Sequence, residues 1–311
     1  MKQLPHTITN KNAASTIASV LNTKIQNGKF EQLLTYLPFG FKKPAHTVAV
    51  LKLSGIISTG SGLRTGLNLD NLNETIEKAF KIPKLSALCL SINSPGGSPV
   101  QSELIARRIR SLAKDKKVPV YSFVEDVAAS GGYWLACAGD EIYASSSSII
   151  GSIGVISSSF GFQEAIAKLG IERRLYTEGK NKSILDPFTD VKASDVKIIK
   201  QLQKQIHQCF IDYVKERRIG RLTQNDDILF NGEFWAGNNA LDFGLIDGIS
   251  DMYSFIKEHF GNDTKIEYLG KKQSWLRRKL GLATADLTAE ACNILVDKVQ
   301  TIITGSKFDC K

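Results

Sequence analysis

Ser130 lies between small neighbours, where an apolar strand pattern gives way to a short apolar helix pattern in residues 133–138. Ala129 precedes it and Gly131 and Gly132 follow it. Small residues at a strand-to-helix turn leave room for a substrate carbonyl to approach a serine hydroxyl. The same position also suits an N-cap serine, which stabilises a helix without doing chemistry. The residue types therefore permit a nucleophile and leave the purely structural role open.

A serine nucleophile needs a base, and the histidines of this chain give no sign of providing one. No histidine lies between His46 and His207, and the surroundings of neither residue suggest a catalytic triad. A neutral lysine is the other arrangement that activates serine, provided that burial or nearby donors lower its pKa. The residue types alone therefore leave the base open.

Strand, glycine turn and helix follow one another twice along the chain. The nearly continuous apolar run 85–92 is typical of a strand buried on both faces. It leads into the turn 93–97 and then a helix with Ser98 as N-cap, Pro99 at the first position and Gln101 at the capping-box position. Residues 118–124 predict the next strand, which runs towards Ser130. Both turns offer backbone N–H groups that can bind developing negative charge.

Recurring strand–helix units predict an α/β fold with right-handed crossovers. Apolar spacing predicts a long helix over 195–218 whose length suits either the core or an oligomer contact. Residues 228–256 read as a small α/β unit after that helix. The remaining predicted elements are strands within 46–57, 142–144 and 153–157, and helices over 69–80 and 162–169.

The amino-acid composition limits the classes of protein to which this chain can belong. The 311 residues have an ordinary globular balance, which excludes a disordered or collagenous chain, and they carry 40 Lys and Arg against 31 Asp and Glu. The net charge of +9 fits an anionic membrane surface, nucleic acid or no partner at all. No segment is apolar enough for a signal peptide or a membrane span. Five scattered cysteines without a C-x-x-C pattern predict a reducing, cytoplasmic location with no disulfide framework and no zinc site.

Four short motifs occur in a fixed order: N-S-P-G-G at 93–97, A-S-G-G-Y at 129–133, G-S-I-G-V at 151–155 and G-K-N-K-S at 179–183. Each is weak alone, since N-S-P-G-G also occurs in ClpP-type proteases and related glycine turns occur in enoyl-CoA hydratases. Together, over residues 46–255, they resemble the signal peptide peptidase A family, also called protease IV, in its short single-repeat SohB-like form.

The resemblance assigns roles to five residues. Ser130 would be the nucleophile, Lys182 the general base and Ser152 the hydroxyl that orients the lysine amine. Gly97 and Gly131 would give backbone N–H groups to the oxyanion hole. Lys180 lies two residues before Lys182 and is the competing base; the family pattern, which places the lysine after a small polar step, favours Lys182. No cofactor and no metal would be needed.

The resemblance also implies a ClpP/crotonase-like fold of repeated ββα units. Residues 1–45 would form a leader with a short helix, residues 46–255 the peptidase domain, and residues 256–311 a basic helical extension. That extension carries Trp275 among lysines and arginines, which fits contact with an anionic bilayer as well as a solvated or oligomer-packing helix.

The implied function is that of a serine endopeptidase with a Ser-Lys dyad, acting on hydrophobic or remnant signal peptides through an acyl-enzyme. Homo-oligomers that enclose the active sites would be expected, with the dyad open to assembly across protomers. Peripheral contact with the inner membrane is compatible with this scheme, and nucleic acid has no motif in its favour. Two alternatives remain: a crotonase-fold acyl-CoA enzyme and a non-catalytic scaffold on a membrane surface.

Overall fold

The structure is a computed structural model that describes residues 46–59 and 66–269. The predicted leader 1–45 and the basic stretch beyond Leu269 lie outside the described residues. The described strands are β1 (Thr47–Ser54), β2 (Leu85–Ser94), β3 (Val120–Ala129), β4 (Glu141–Ala144), β5 (Ile149–Gly151), β6 (Phe234–Ala236), β7 (Gly248–Ile249) and β8 (Lys265–Leu269). The described helices are α1 (Leu69–Phe80), α2 (Pro99–Lys116), α3 (Gly131–Ala136), α4 (Gln163–Lys168), α5 (Ala193–Arg217), α6 (Asp226–Leu229), α7 (Gly237–Asp242) and α8 (Met252–Phe260).

The strands form an eight-stranded sheet in the order β6-β5-β3-β2-β1-β8, with β4 joining β3 to β7. All pairings are parallel except that of β5 with β6. The long strand β3 pairs with β4 along its first half and with β5 along its last three residues. The predicted α/β fold is therefore confirmed.

Helices cover both faces of the sheet, as a parallel sheet requires. The larger core lies beneath α1, α2, α3 and part of α5, and its buried residues include Leu90, Ile105 and Trp134. The smaller core lies on the other face, where Phe255 and Ile256 of α8 pack against Val50, Cys89 and Phe123. The first part of β3 thus lies between two packed layers, and the end of the strand, which leads to Ser130, packs on the side of the larger core.

The turn between β2 and α2 is held by bonds to the segment after β1. Ser98 caps α2 as predicted, because its hydroxyl accepts from the Gln101 N–H. The Gln101 side chain does not complete a capping box; its oxygen accepts from the Leu69 N–H at 3.0 Å, at the start of α1. The Ser98 N–H instead donates to the Ile57 carbonyl at 2.8 Å. These contacts join the first turns of α1 and α2.

Two sequence predictions about elements are wrong. The strand near Gly151 is β5, Ile149–Gly151, and residues 153–157 form no strand, because only 149–151 pair with the end of β3. The predicted domain boundary after residue 255 falls inside α8, and β8 beyond it pairs with β1. Residues 256–269 therefore belong to the sheet layer rather than to a helical extension.

The long helix α5 is only partly packed. Of its predicted apolar face, Phe210 and Val214 are buried, whereas the more N-terminal Leu202 is 49% exposed. The C-terminal half reaches the core over α3, where Phe210 stacks on Trp134 with ring centroids 4.8 Å apart. The N-terminal half leaves an apolar surface open.

A buried ion pair closes the C-terminal end of α5. The Arg218 side chain, 1% exposed, donates to Asp247 at 2.6 Å and twice to the Gly244 carbonyl, at 2.9 and 2.8 Å. We expect Arg218→Met to lower the free energy of unfolding by about 3 kcal/mol, because it removes the buried cation that pairs with Asp247 and leaves the Gly244 carbonyl without its donor. Denaturant unfolding measures this loss.

Arg221→Met is the matched control, since Arg221 also bonds Asp247 at 3.1 Å but its side chain is 40% exposed. Its loss should stay below about 1 kcal/mol. Equal losses in the free energy of unfolding for the two variants would contradict the expectation that burial makes the Arg218 contacts more stabilising.

Candidate active site

Ser130 lies at a strained turn between β3 and α3. Its φ of 51° and ψ of −124° put a non-glycine residue in a rarely occupied region, a feature that often accompanies functional sites. Its N–H donates to the Gly151 carbonyl at 2.8 Å, and its carbonyl accepts from the N–H groups of Tyr133 and Trp134. The hydroxyl makes no capping bond to α3. The N-cap alternative for this side chain is therefore not supported.

Tyr133 fixes the helix that begins at this turn. Its side chain is buried, and its hydroxyl donates to the Leu245 carbonyl at 2.7 Å. Burial raises the pKa of Tyr133 well above its usual value, so the hydroxyl stays protonated and the bond is retained. Tyr133 belongs to the motif that marked Ser130, but sequence alone gave it no role.

Gly97 and Gly131 lie next to each other beside Ser130. A Cβ on Gly131 would lie 3.3 Å from the Gly97 nitrogen and 2.4 Å from the Ser102 hydroxyl. As the first residue of α3, Gly131 has an N–H with no acceptor inside its helix. The hydrogen bonds that join Ile57 to the glycine turn use Gly96 and Ser98, so they leave the Gly97 N–H unused. The two predicted oxyanion donors are thus brought together.

Gly97 has to be glycine at this close approach. Its φ is 143°, and a Cβ there would lie 2.0 Å from the Ile57 carbonyl oxygen. We expect Gly97→Ala to lower kcat for peptide hydrolysis by roughly 100- to 1,000-fold, because the turn must move and take its N–H donor with it. Steady-state hydrolysis of a fluorogenic peptide measures the loss.

Gly220→Ala separates backbone strain from the loss of the donor. Gly220 has a φ of 73°, but nothing lies within 4 Å of its Cβ position. Its variant should keep nearly full activity. If the Gly97→Ala protein were as active as the Gly220→Ala protein, the assignment of Gly97 to the oxyanion hole would be wrong.

A small, mostly apolar pocket opens beside Ser130. Trp134 of α3 and Ile206 and Phe210 of α5 supply its large side chains, so the long helix forms one wall. Sequence reasoning missed this contribution, because nothing in an amphipathic pattern indicates which helix faces which turn. The lining residues are Gly97, Pro99, Ser130, Gly131, Trp134, Gly154, Val155, Ile206 and Phe210.

Ser152 directly follows Gly151, whose carbonyl accepts the hydrogen bond from the Ser130 N–H. It is half-buried with a φ of 51°, and its N–H donates to the Glu233 carbonyl at 2.6 Å. His207 of α5 approaches the next residue, with its Nε2 2.9 Å from the Ile153 carbonyl. The segment after β5 is therefore held close to the Ser130 turn from two sides.

The candidate base forms no hydrogen bond with Ser130 in the structure. Lys182 and Lys180 are both exposed in a turn, where the Lys182 N–H donates to the Gly179 carbonyl at 3.0 Å. Among the described residues, no hydrogen bond or ion pair joins either lysine side chain to Ser130. One chain thus brings together Ser130, Gly97 and Gly131, with Ser152 nearby, and holds Lys182 on an open loop.

The chain is similar to known peptidases. The family model described as peptidase family S49 matches residues 112–260, which include Ser130, Ser152 and Lys182. A putative signal peptide peptidase SppA of Enterococcus faecium is 29% identical over 250 residues, 75% of this chain and 71% of that protein. A probable protease SohB of Buchnera aphidicola is 31% identical over 192 residues, 61% of this chain and 56% of that protein. Residues 112–260 thus match peptidase family S49, and the chain is similar to SppA- and SohB-like proteins.

A more similar relative has a different name. A protein of Brucella melitensis named Na(+)/H(+) antiporter NhaA is 51% identical over 245 residues, which are 78% of this chain but 33% of that protein. The chain therefore spans about a third of the length of the Brucella relatives that it matches. Within 46–59 and 66–269, no helix is long and apolar enough to cross a membrane.

Proposed function

We propose that this chain is a serine endopeptidase with Ser130 as nucleophile and Lys182 as general base. The observation that carries the proposal is the turn at Ser130, where a strained backbone is locked by three hydrogen bonds while the hydroxyl is left uncapped beside two glycine N–H groups. A serine with only a structural role would be expected to use its hydroxyl in the cap.

The mechanism follows from these positions. The Ser130 Oγ attacks the scissile carbonyl while the neutral Lys182 amine accepts its proton. The N–H groups of Gly97 and Gly131 bind the oxyanion of the tetrahedral intermediate. The lysine returns the proton to the leaving amine, and a water molecule then hydrolyses the acyl-enzyme by the same steps. Ser152, beside the Ser130 turn, would orient the lysine amine.

The exposed position of Lys182 fits a site that is completed in a homo-oligomer. The segment that carries it shows large apolar side chains to solvent, a pattern typical of protein interfaces. Contact of this surface with a second copy would remove solvent from around the lysine amine and enclose it with the serine in one site. The exposed apolar residues are Ile156, Phe160, Phe162, Leu169, Ile171, Leu175, Tyr176, Val191, Ile198 and Leu202.

The pocket beside Ser130 favours small or aliphatic side chains at the cleavage position. Its walls are apolar and its space is limited by Trp134 and Phe210, which are both almost fully buried. Hydrophobic peptides, including remnants of signal peptides, have the chemistry that would fill it. A charged side chain would lose its hydration there without a partner.

The test is hydrolysis of a matched set of fluorogenic peptides that differ only at the cleavage position. We expect cleavage after alanine or leucine and at least about tenfold lower kcat/KM after lysine or aspartate. Equal rates for all four would contradict the assigned pocket. Turnover of an acyl-CoA with no peptide cleavage would favour the crotonase alternative, and the absence of any hydrolysis would favour the scaffold.

A further inference from the structure

The loop that carries Lys182, residues 174–185, is closed at its base by an ion pair. Arg173 lies on the arm that enters the loop and Asp186 on the arm that leaves it. The Arg173 Nε donates to the Asp186 carboxylate at 2.9 Å, and a terminal nitrogen of the same guanidinium lies 2.8 Å from the same oxygen. Joining the two ends of a loop removes conformational freedom from the residues between them.

Asp186 is well shielded for an acid at the edge of an exposed loop. Its side chain is 4% exposed, whereas that of Asp247, in the ion pair with the buried Arg218, is 17% exposed. Its second carboxylate oxygen accepts from the Phe188 N–H at 3.1 Å. The Phe188 N–H and the Arg173 guanidinium hold the pKa of Asp186 below its usual value, so the carboxylate is charged at neutral pH. A shielded charge has to keep its partners, and these partners hold Asp186 in one place.

The arm that carries Asp186 is fastened to the starts of two helices. The Phe162 N–H, at the start of α4, donates to the Pro187 carbonyl at 2.6 Å. The Leu185 N–H donates to the side chain of Asp195, in the first turn of α5, at 3.2 Å. Because α5 also forms a wall of the pocket beside the proposed nucleophile, this arm is held to an element of the site.

The chain from Lys182 to Asp186 is a run of turns. The Asp186 N–H donates to the Ser183 carbonyl at 3.3 Å, and Leu185 has a φ of 51°. The Lys182 side chain forms no hydrogen bond or ion pair among the described residues. The loop backbone therefore decides where the Lys182 amine can reach, and Asp186 is the nearest point at which a charged side chain fixes that backbone.

We propose that Asp186 is a positioning residue that holds the Lys182 loop in the conformation that delivers the amine to Ser130. It does not touch the substrate, and it acts through Arg173 and through the turn that it closes with Phe188. This role rests on the proposed function, in which Lys182 is the general base. Because the ion pair is complete within one chain, it fixes the loop whether the serine belongs to the same protomer or to another.

Steady-state hydrolysis of a fluorogenic peptide by Asp186→Ala tests this role. We expect kcat to fall by about 100-fold, the loss that a small displacement of a catalytic group can cause. KM should change by less than about threefold, because the loop does not line the pocket. Arg173→Met should cause a similar loss of kcat, since it removes the other half of the closure. An unchanged kcat in Asp186→Ala, or a loss carried by KM, would overturn the proposal.

Arg174→Met and Asp190→Ala are the matched controls. Arg174 pairs with Glu172 two residues earlier, and both side chains are more than half exposed. Asp190 is exposed and forms no ion pair among the described residues. Both variants should keep nearly full kcat. In gel filtration, Asp186→Ala should elute with the unmodified chain; a loss of kcat together with a loss of assembly would overturn the proposal, because the effect would then lie in the assembly.

Adding Asp186→Ala to Lys182→Ala separates positioning of the lysine from a general effect on the fold. Without the amine there is nothing left to position, so the double variant should hydrolyse the peptide within about threefold of Lys182→Ala alone. A further fall of about 100-fold would overturn the proposal. Full activity of Lys182→Ala would contradict the proposed function itself, whereas a loss in Lys182→Ala with none in Asp186→Ala would contradict only the role of Asp186.

Discussion

Ser130→Ala is expected to lower peptide hydrolysis by at least about 1,000-fold. The substitution removes the Ser130 Oγ, the proposed nucleophile, and changes little else. Alanine keeps the Cβ, so the strain at φ 51° is retained, and the lost hydroxyl makes no capping bond to α3. The backbone bonds that lock the turn do not involve the side chain. Initial rates on a fluorogenic peptide with alanine at the cleavage position measure the effect.

Ser147→Ala is the control for this experiment, because Ser147 is exposed in a turn and does not line the Ser130 pocket. It should retain full activity, and both variants should unfold at the temperature of the unmodified chain. Hydrolysis by Ser130→Ala at the unmodified rate would exclude the serine mechanism. A large fall in its unfolding temperature would instead assign the loss of activity to misfolding.

Lys182→Ala should lower hydrolysis by about 100- to 10,000-fold, the usual range for a general base, whereas Lys180→Ala should leave it nearly unchanged. The two lysines are a close matched pair, since both are exposed in one turn of the same loop. The same peptide assay measures both. Equal losses of activity in the two variants would point to a general effect of charge in the loop. A loss of activity confined to Lys180→Ala would make Lys180 the general base instead of Lys182.

Mixing inactive Ser130→Ala and Lys182→Ala proteins tests where the lysine comes from. Lys182 has no hydrogen bond to Ser130 within one chain, and its segment exposes the apolar residues of a contact surface. We therefore expect mixed oligomers to regain measurable hydrolysis, because one protomer supplies the serine and another the lysine. Mixed oligomers without activity would place both residues in one protomer.

Local patterns predicted much of the layout around the site. The spacing of apolar residues predicts a helix over 69–80, which α1 occupies, and the apolar run 85–92 lies within β2. Ser98 and Pro99 mark the start of α2 because caps depend on the residues of a single turn. The glycine turns at Gly97 and Gly131 could be recognised for the same reason.

Patterns failed where distant segments decide the outcome. β8 pairs with β1, more than 200 positions earlier in the chain, and its sequence gives no sign of that partner. The regular apolar face of α5 left the core and an oligomer contact as alternatives, and only its C-terminal half finds a core to pack against. The Gln101 side chain likewise accepts a hydrogen bond from the start of α1, because that helix lies beside it in the fold.

The sequence by itself determined the α/β class and the turn that presents Ser130, because each depends on residues close together in the chain. The residues proposed for catalysis came from the resemblance of four short motifs to the signal peptide peptidase A family. Only the tertiary structure decided that Gly97 and Gly131 meet and that α5 forms one wall of the pocket. It also left Lys182 exposed in a single chain. These results depend on which surfaces pack together and which stay open, and that balance involves the whole fold.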